Sequence, residues 1–116
     1  MHEGGTARFP STARLKKRSD FKRVYEQGTK HAGRYFSFYV LPTGKPGRIG
    51  IVVSHRFGSA VERNRIKRLI REAYRKHRGS FFGMDIVVIP RAEGKGKDAL
   101  EIENALIAEM NEALER

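Results

Sequence analysis

The side chains of this 116-residue chain that could do acid–base or metal chemistry are few and scattered. Residues 1–92 hold six carboxylates, and no two of them have a spacing that builds a two-metal site: Glu3, Asp20, Glu26, Glu62, Glu72 and Asp85. None of the four histidines forms an HxxxH pair. Cysteine is absent, which excludes a thiol nucleophile, a disulfide framework and a cysteine-based zinc site. The sequence therefore predicts no catalytic residue and no metal site in the polypeptide itself.

Positive charge, in contrast, is abundant and unevenly distributed. The net charge is +11, with 21 basic and 6 acidic side chains in residues 1–92 but 3 basic and 7 acidic ones in residues 93–116. A body this basic is typical of proteins that bind nucleic acid. No apolar run approaches the ~20 residues of a membrane-spanning helix, and residues 1–20 contain no apolar stretch like that of a signal peptide. We therefore expect a cytoplasmic protein that does not bind a membrane.

Hydrophobic periodicity and turn residues predict three helices and three strands. The helices are predicted at 19–28, with Ser19 as the N-cap, at 59–77 and at 98–115, and the strands at 34–42, 48–56 and 85–91. Residues 1–13 are small and polar and are predicted to be a flexible tail, followed by one domain over 14–116. The strand–helix–strand order of 48–91 indicates two parallel strands joined by a crossover. The fold class is α+β, with a small mixed sheet covered by helices.

The helix at 59–77 concentrates the charge: eight Lys or Arg residues lie between Arg63 and Arg78. At about 100° per residue, the residues that face the core form one apolar stripe: Ile66, Leu69, Ile70 and Ala73. Nearly opposite lies a cationic band made of Lys67, Arg68, Arg71 and Arg75, with Asn64 and Arg78 on the same side and Arg63 and Arg65 at its two borders. Like charges one turn apart repel, so we expect a polyanion to neutralise the band. The alternative is an ordinary solvated face.

Aromatic residues form a second pattern. Alternation along 34–42 places Phe36, Phe38 and Val40 on one strand face and Tyr35, Ser37 and Tyr39 on the other. If the first helix, with Phe21 and Tyr25, lies along the tyrosine face, the rings line a groove in which single-stranded bases could stack. Alternatively, Phe21 and Val24 only anchor the helix to the sheet, and the two roles are compatible.

These segments resemble a known family. "RFGSAVERNRIKRLIREAYR" (56–75) is similar to the signature of the bacterial ribonuclease P protein subunit: a basic residue, a Gly, then AVxRNRxKRxxRE. In order along the chain, "ARLKKRSDFKRVYEQG" resembles the family's first helix, "RYFSFYVL" and "RIGIVVS" its strands, and "DIVVIPR" its last strand. The resemblance covers roughly residues 13–114.

The resemblance implies a single small α+β domain with the order α-β-β-β-α-β-α and a mixed sheet, like the second domain of ribosomal protein S5. It also implies a left-handed crossover around the arginine-rich helix. General sterics would favour the right-handed form in about 98% of cases, and here we follow the resemblance.

The resemblance also implies a function. The partner would be the catalytic RNA subunit of ribonuclease P, which removes the 5′ leader of precursor tRNA with Mg²⁺ held mainly by RNA and substrate, and no obligate protein partner is expected. The residues expected to bind the RNA subunit are Arg65, Lys67, Arg68, Arg71 and Arg75. Those expected to bind the leader are Phe21, Tyr25, Tyr39, Arg56, Arg63 and Asn64.

Two other functions are compatible with size and charge. One is a ribosomal or other structural RNA-binding protein without a catalytic partner, which would not need a groove for a leader. The other is a DNA-binding regulator that inserts the basic helix into a major groove. It is less favoured, because no adjacent helix-turn-helix partner is evident.

Overall fold

The structure is a computed structural model and describes residues 11–115. Three helices and four strands follow one another in the order α-β-β-β-α-β-α, as expected: α1 (Arg18–Gln27), β1 (Thr29–Ala32), β2 (Phe36–Pro42), β3 (Arg48–Ile51), α2 (Ala60–Lys76), β4 (Met84–Pro90) and α3 (Ala99–Leu114). The three predicted helices are confirmed to within two residues at each end.

The strands form one mixed sheet in the order β1-β2-β4-β3. β2 pairs antiparallel with β1 and with β4, whereas β3 pairs parallel with β4, with Ile49 opposite Ile86. Since α2 connects β3 to β4, the predicted parallel crossover is confirmed. Its handedness stays a prediction.

The inner face of the sheet, which carries Phe36 and Phe38, is covered by α2 and α3 and holds the main core. The apolar stripe of α2 is confirmed, with Ile66, Ile70 and Ala73 buried and Leu69 partly buried against the same cluster. α3 contributes Ile102, Leu106 and Met110. Burial of each large apolar side chain contributes roughly 1.5–3 kcal/mol, so this face supplies most of the stabilisation.

One buried residue of α2 lies outside its predicted apolar stripe. Tyr74 on α2 is 1% exposed, and its ring stacks on Phe81 at 6.2 Å between centroids. A tyrosine among arginines does not stand out as apolar, which is why the pattern missed it.

The opposite, outer face of the sheet is covered, within residues 11–115, by α1 and by the short segment that precedes it. Its buried cluster is small, with Leu15, Val24 and Val87 at the centre and Phe21, Tyr39 and Ile89 partly buried around them. Tyr39 and Ile89 stay only partly buried on this face, so within residues 11–115 part of the face is accessible.

Several sequence predictions about the strands were wrong. β1 was not located from the residues, because its side chains are mostly exposed and show no apolar alternation. The strand predicted at 48–56 is β3, and it ends at Ile51. The chain then turns through a 3-10 helix at His55–Phe57 and buries Phe57. Tyr35 lies before β2, and it packs against the inner-face cluster instead of sharing the outer face with Tyr39.

The predicted cap of the first helix was also wrong. α1 begins at Arg18, and its N-cap Lys17 makes no side-chain capping bond, so Ser19 lies inside the first turn. The predicted stop at Gly28 is confirmed, with the Gly28 N–H donating to the Val24 carbonyl at 2.9 Å. A Cβ at Gly28 would lie 2.9 Å from the Val40 carbonyl oxygen, so only glycine lets the helix end this close to β2.

Most of the predicted flexible tail, residues 1–10, lies outside the described residues. Ser11–Ala13 form a 3-10 helix, Ala13 is fully buried, and Arg14 forms a β-bridge with Ile49. Within residues 11–115, no helix is long and apolar enough to cross a membrane.

Candidate nucleic-acid interface

The start of α2 is fixed by a capping box. Ser59 Oγ accepts from the Glu62 N–H at 3.2 Å, and the Ser59 N–H donates to Glu62 Oε1 at 2.8 Å. The hydrogen bond from the Ser59 backbone lowers the pKa of Glu62, which also pairs with Lys95 at 3.6 Å. Glu62, one of the two acids in this basic helix, therefore caps its N-terminus and is not part of the cationic band.

The cationic band lies on the side of α2 away from the core. Arg68 is exposed, while Lys67, Arg71 and Arg75 are partly exposed. Arg75 pairs with Glu72 at 2.7 Å. Within residues 11–115, neither Lys67, Arg68 nor Arg71 has a carboxylate within the 4.0 Å of an ion pair.

The charge next to Arg71 is positive as well. Burial first, and then repulsion from Arg14, lower the pKa of the Arg71 guanidinium. Arg14 lies beside β3, at the edge of the sheet. The cationic surface therefore extends beyond α2 to the segment that precedes α1, which the sequence pattern did not predict.

Arg65 differs from the rest of the predicted RNA-binding set. Its guanidinium donates to the Lys97 carbonyl at 3.0 Å in a partly buried position. This bond ties the basic helix to the loop after β4, so one of the five N–H donors of Arg65 is already used within the fold.

The accessible part of the outer face carries a pair of tyrosines, here called the ring pair, Tyr25 and Tyr39. Their ring centroids lie 4.8 Å apart with an interplanar angle of 84°, an edge-to-face contact. Tyr25 is 38% exposed, and burial of its other side is the main reason that its pKa is raised. Lys30 Nζ lies 5.8 Å from the Tyr39 ring centroid and brings a cation to the pair.

Phe21, the third predicted groove residue, lies against the sheet. A Cβ on Gly50 would come within 2.6 Å of Phe21 Cζ and 3.1 Å of Leu15 Cδ1. Phe21 therefore rests directly on the backbone of β3 and anchors α1, while part of its ring remains accessible. The two roles weighed for Phe21, anchor and groove lining, are both compatible with this position.

The three polar residues predicted to bind the leader lie around the start of α2. Arg56 is exposed on the 3-10 helix that follows β3, and Asn64 is exposed in the first turns of α2. Arg63 Nη1 donates to the Gly58 carbonyl at 2.7 Å. No hydrogen bond or ion pair within residues 11–115 joins these three residues to the ring pair.

A second group of cations and a ring was not predicted. Arg34 and Lys97 lie 5.2 Å and 5.9 Å from the centroid of the Tyr35 ring. Arg34 precedes Tyr35 directly, but Lys97 lies 62 residues after it, so only the fold shows that both cations meet one ring.

The carboxylates and histidines within residues 11–115 include no group of three or more that could hold a metal ion. What this part of the chain does present is cations that can bind phosphates and rings that can stack on bases.

Comparison with known proteins points in one direction. Residues 9–115 match the family model described as Ribonuclease P. The ribonuclease P protein component of Staphylococcus haemolyticus is 43% identical over 94 residues, which are 80% of this chain and 82% of that protein.

Solved structures agree with these matches. The RNase P protein of Staphylococcus aureus superposes with a TM-score of 0.81 at 39% identity, over 87% of this chain and 94% of that one. The RNase P protein of Thermotoga maritima superposes with a TM-score of 0.75 at 35% identity, over 82% and 92%.

Proposed function

This chain belongs to the ribonuclease P protein family, and on that premise we propose that it binds the catalytic RNA subunit of ribonuclease P and the 5′ leader of precursor tRNA. The RNA subunit would cut the leader from the tRNA, and the protein would hold the two RNAs together. Mg²⁺ would be held mainly by the RNA subunit and the substrate, so this chain would contribute binding and orientation.

The observation that carries the proposal is the surplus of cations on α2. Lys67, Arg68 and Arg71 lie on one side of a helix whose other side is buried, with no ion-pair partner within residues 11–115. Phosphates of a folded RNA would neutralise these charges, and guanidinium groups bind phosphate in a bidentate manner.

The ring pair supports the second half of the proposal. Tyr25 and Tyr39 lie on the outer face, where α1 leaves part of the sheet accessible. Unpaired bases of a leader could stack there, while a protein that only packs on folded RNA would not require such a surface. Arg56, Arg63 and Asn64 would then contact the backbone of the same strand.

The direct test is reconstitution with the RNA subunit at low and at high Mg²⁺ concentration. We expect the protein to accelerate cleavage of precursor tRNA at low Mg²⁺, since its cations replace part of the counterion requirement of the RNA. Equal rates with and without the protein at low Mg²⁺ would refute the proposal.

A Tyr39→Ala variant separates leader binding from assembly. We expect precursor tRNA to bind the reconstituted complex roughly fivefold or more weakly, because a stacked base contributes about 1–3 kcal/mol. Affinity for the RNA subunit should not change, and Tyr39→Phe, which keeps the ring, is the matched control. Loss of assembly in Tyr39→Ala would contradict this division of roles.

Comparison of precursor with mature tRNA distinguishes the structural RNA-binding alternative. If the wild-type complex binds the two with equal affinity, the protein does not recognise the leader, and a purely structural role is favoured.

A further inference from the structure

A partly buried charge network fixes α1 to the outer face. Arg48 on β3 donates to both oxygens of Asp85 on β4, with Nη2–Oδ2 at 2.8 Å and Nε–Oδ1 at 3.3 Å. Its remaining terminal nitrogen, Nη1, donates to Asp20 Oδ2 on the first turn of α1 at 3.3 Å. We call these three residues the clamp.

The clamp is expected to add little net stability, because its charges lose hydration when they are buried. Asp85 is 1% exposed within an otherwise apolar strand, and removing a carboxylate and a guanidinium from water offsets much of their attraction. Apolar residues of similar volume would commonly be as stable at such a position. What the charged residues add is direction, because a bidentate guanidinium holds its partners in one plane and at one distance.

Close packing at Gly50 restricts α1 at the same end. Phe21 follows Asp20 in the sequence, and its ring occupies the space that a side chain on Gly50 would fill. At the other end of the helix, Gly28 lies against the Val40 carbonyl with no room for a Cβ. α1 is therefore held against β3 at its start and against β2 at its end.

This attachment determines where the aromatic residues of α1 lie. Val24 is fully buried beneath the helix, and Tyr25 meets Tyr39 of β2 edge to face. A shift of the helix at Asp20 or Phe21 would tilt Tyr25 relative to Tyr39 and change the width of the accessible part of the outer face.

We propose that the clamp and Gly50 are positioning residues: they set the distance of α1 from the sheet and thereby determine how well the outer face accepts a single-stranded leader. The inference rests on the proposed leader binding and adds residues that would not touch the RNA.

The first test uses two variants of α1 that remove the same charge. Asp20→Asn removes the anion that Arg48 reaches, while the Arg48–Asp85 pair remains. Glu26→Gln removes an exposed anion that pairs with Lys22 at 3.9 Å on the helix surface. Loss of a negative charge by itself should tighten RNA binding slightly in both.

A positioning role predicts different results for the two variants. We expect the reconstituted complex with Asp20→Asn to lose about three- to tenfold in its preference for precursor over mature tRNA, which corresponds to part of the stacking energy of one base. The Glu26→Gln complex should keep the preference of the wild type.

The second test changes the packing without changing charge. Gly50→Ala pushes a methyl group into the Phe21 ring, whereas Gly79→Ala adds the same methyl where no atom lies within 4 Å. We expect only Gly50→Ala to lower the preference for precursor. Thermal unfolding of each variant, and its affinity for the RNA subunit, show whether it is folded and assembles.

The outcomes separate the inference from the function on which it rests. If the wild-type complex does not prefer precursor over mature tRNA, the proposed leader binding fails. If it does, and Asp20→Asn assembles with an unchanged preference, the positioning role is overturned. A fluorescent base analogue in the leader provides a second readout: its quenching by stacking should decrease in Asp20→Asn and in Gly50→Ala but not in the two controls.

Discussion

Helices α2 and α3 pack side by side on the same face of the sheet, yet their charges are opposite. α2 carries seven basic and two acidic residues, and α3 carries four acidic residues and no basic one. Both bury an apolar stripe in one core. The core therefore sets only the buried side of each helix, and the contrast on the exposed sides is the basis for proposing that α2 is the helix that binds RNA.

Polar contacts join the two helices at the C-terminal end of α2. Glu103 on α3 accepts from Lys76 at 3.4 Å and lies 3.0 Å from His77 Nε2. Lys76 is thereby paired with α3, whereas Lys67, Arg68 and Arg71 have no ion-pair partner within residues 11–115. α3 thus neutralises charge in the last turn of α2 but not in its middle.

The largest expected effect tests the similarity of the helices. Ile70→Ala on α2 and Leu106→Ala on α3 each remove a fully buried side chain, and we expect each to lower the free energy of unfolding by about 2–5 kcal/mol. Urea denaturation measures this change. Val61→Ala, at a position that is 77% exposed, is the control and should change stability by less than about 0.5 kcal/mol. If only one of the two variants has a lower free energy of unfolding, the two helices do not share a core.

The next effect tests the contrast between them. The double variant Arg68→Ala, Arg71→Ala should weaken binding to the RNA subunit and reduce the slope of log Kd against log salt by about two. Lys22→Ala with Lys45→Ala removes the same charge outside α2 and should reduce the slope less. Glu112→Gln on α3 should not weaken binding, and if it weakens assembly as much as the double arginine variant, α3 also faces the RNA.

A smaller effect separates two arginines within α2. Arg65 bonds to the Lys97 carbonyl, whereas Arg68 has no hydrogen-bond or ion-pair partner within residues 11–115. We expect Arg65→Ala to lower the free energy of unfolding by about 1–2 kcal/mol, since a hydrogen bond to a charged group is lost. Arg68→Ala should stay within about 0.5 kcal/mol of wild type. Equal stability of the two variants in urea would mean that the Arg65 bond contributes nothing.

The smallest effect lies where the helices meet. The hydrogen bond with His77 is the main cause of the lowered pKa of Glu103. A carboxyl whose pKa is lower in the folded state stabilises the fold above its unfolded pKa, about 4.3, and loses this contribution as pH falls through the folded value. Wild type should therefore exceed Glu103→Gln in unfolding free energy by less than about 1 kcal/mol at pH 7. Unfolding curves from pH 7 down to pH 3 should show the gap closing, and a gap that does not change with pH would contradict the assignment.

Predictability from sequence differed along the chain for physical reasons. α2 was located closely because an apolar stripe at helical spacing and a run of cations on the opposite side agree in one short segment. β1 was missed because an edge strand with exposed side chains carries no apolar alternation. Tyr35 was assigned to the wrong face because alternation holds only within a strand, and the Tyr35 N–H donates to Glu109 of α3, 74 residues away.

The sequence by itself determined the local features: three helices, the two-sided charge of α2, the inward face of β2 and the resemblance to one family. These depend on neighbouring residues and on helix and strand periods, which a linear pattern records. Only the tertiary structure decided which cations are neutralised and which rings meet. Arg65 with Lys97, Tyr25 with Tyr39, and Asp20 with Arg48 and Asp85 are pairings between separate elements. Such contacts form when the sheet brings distant segments together, and no local period encodes them.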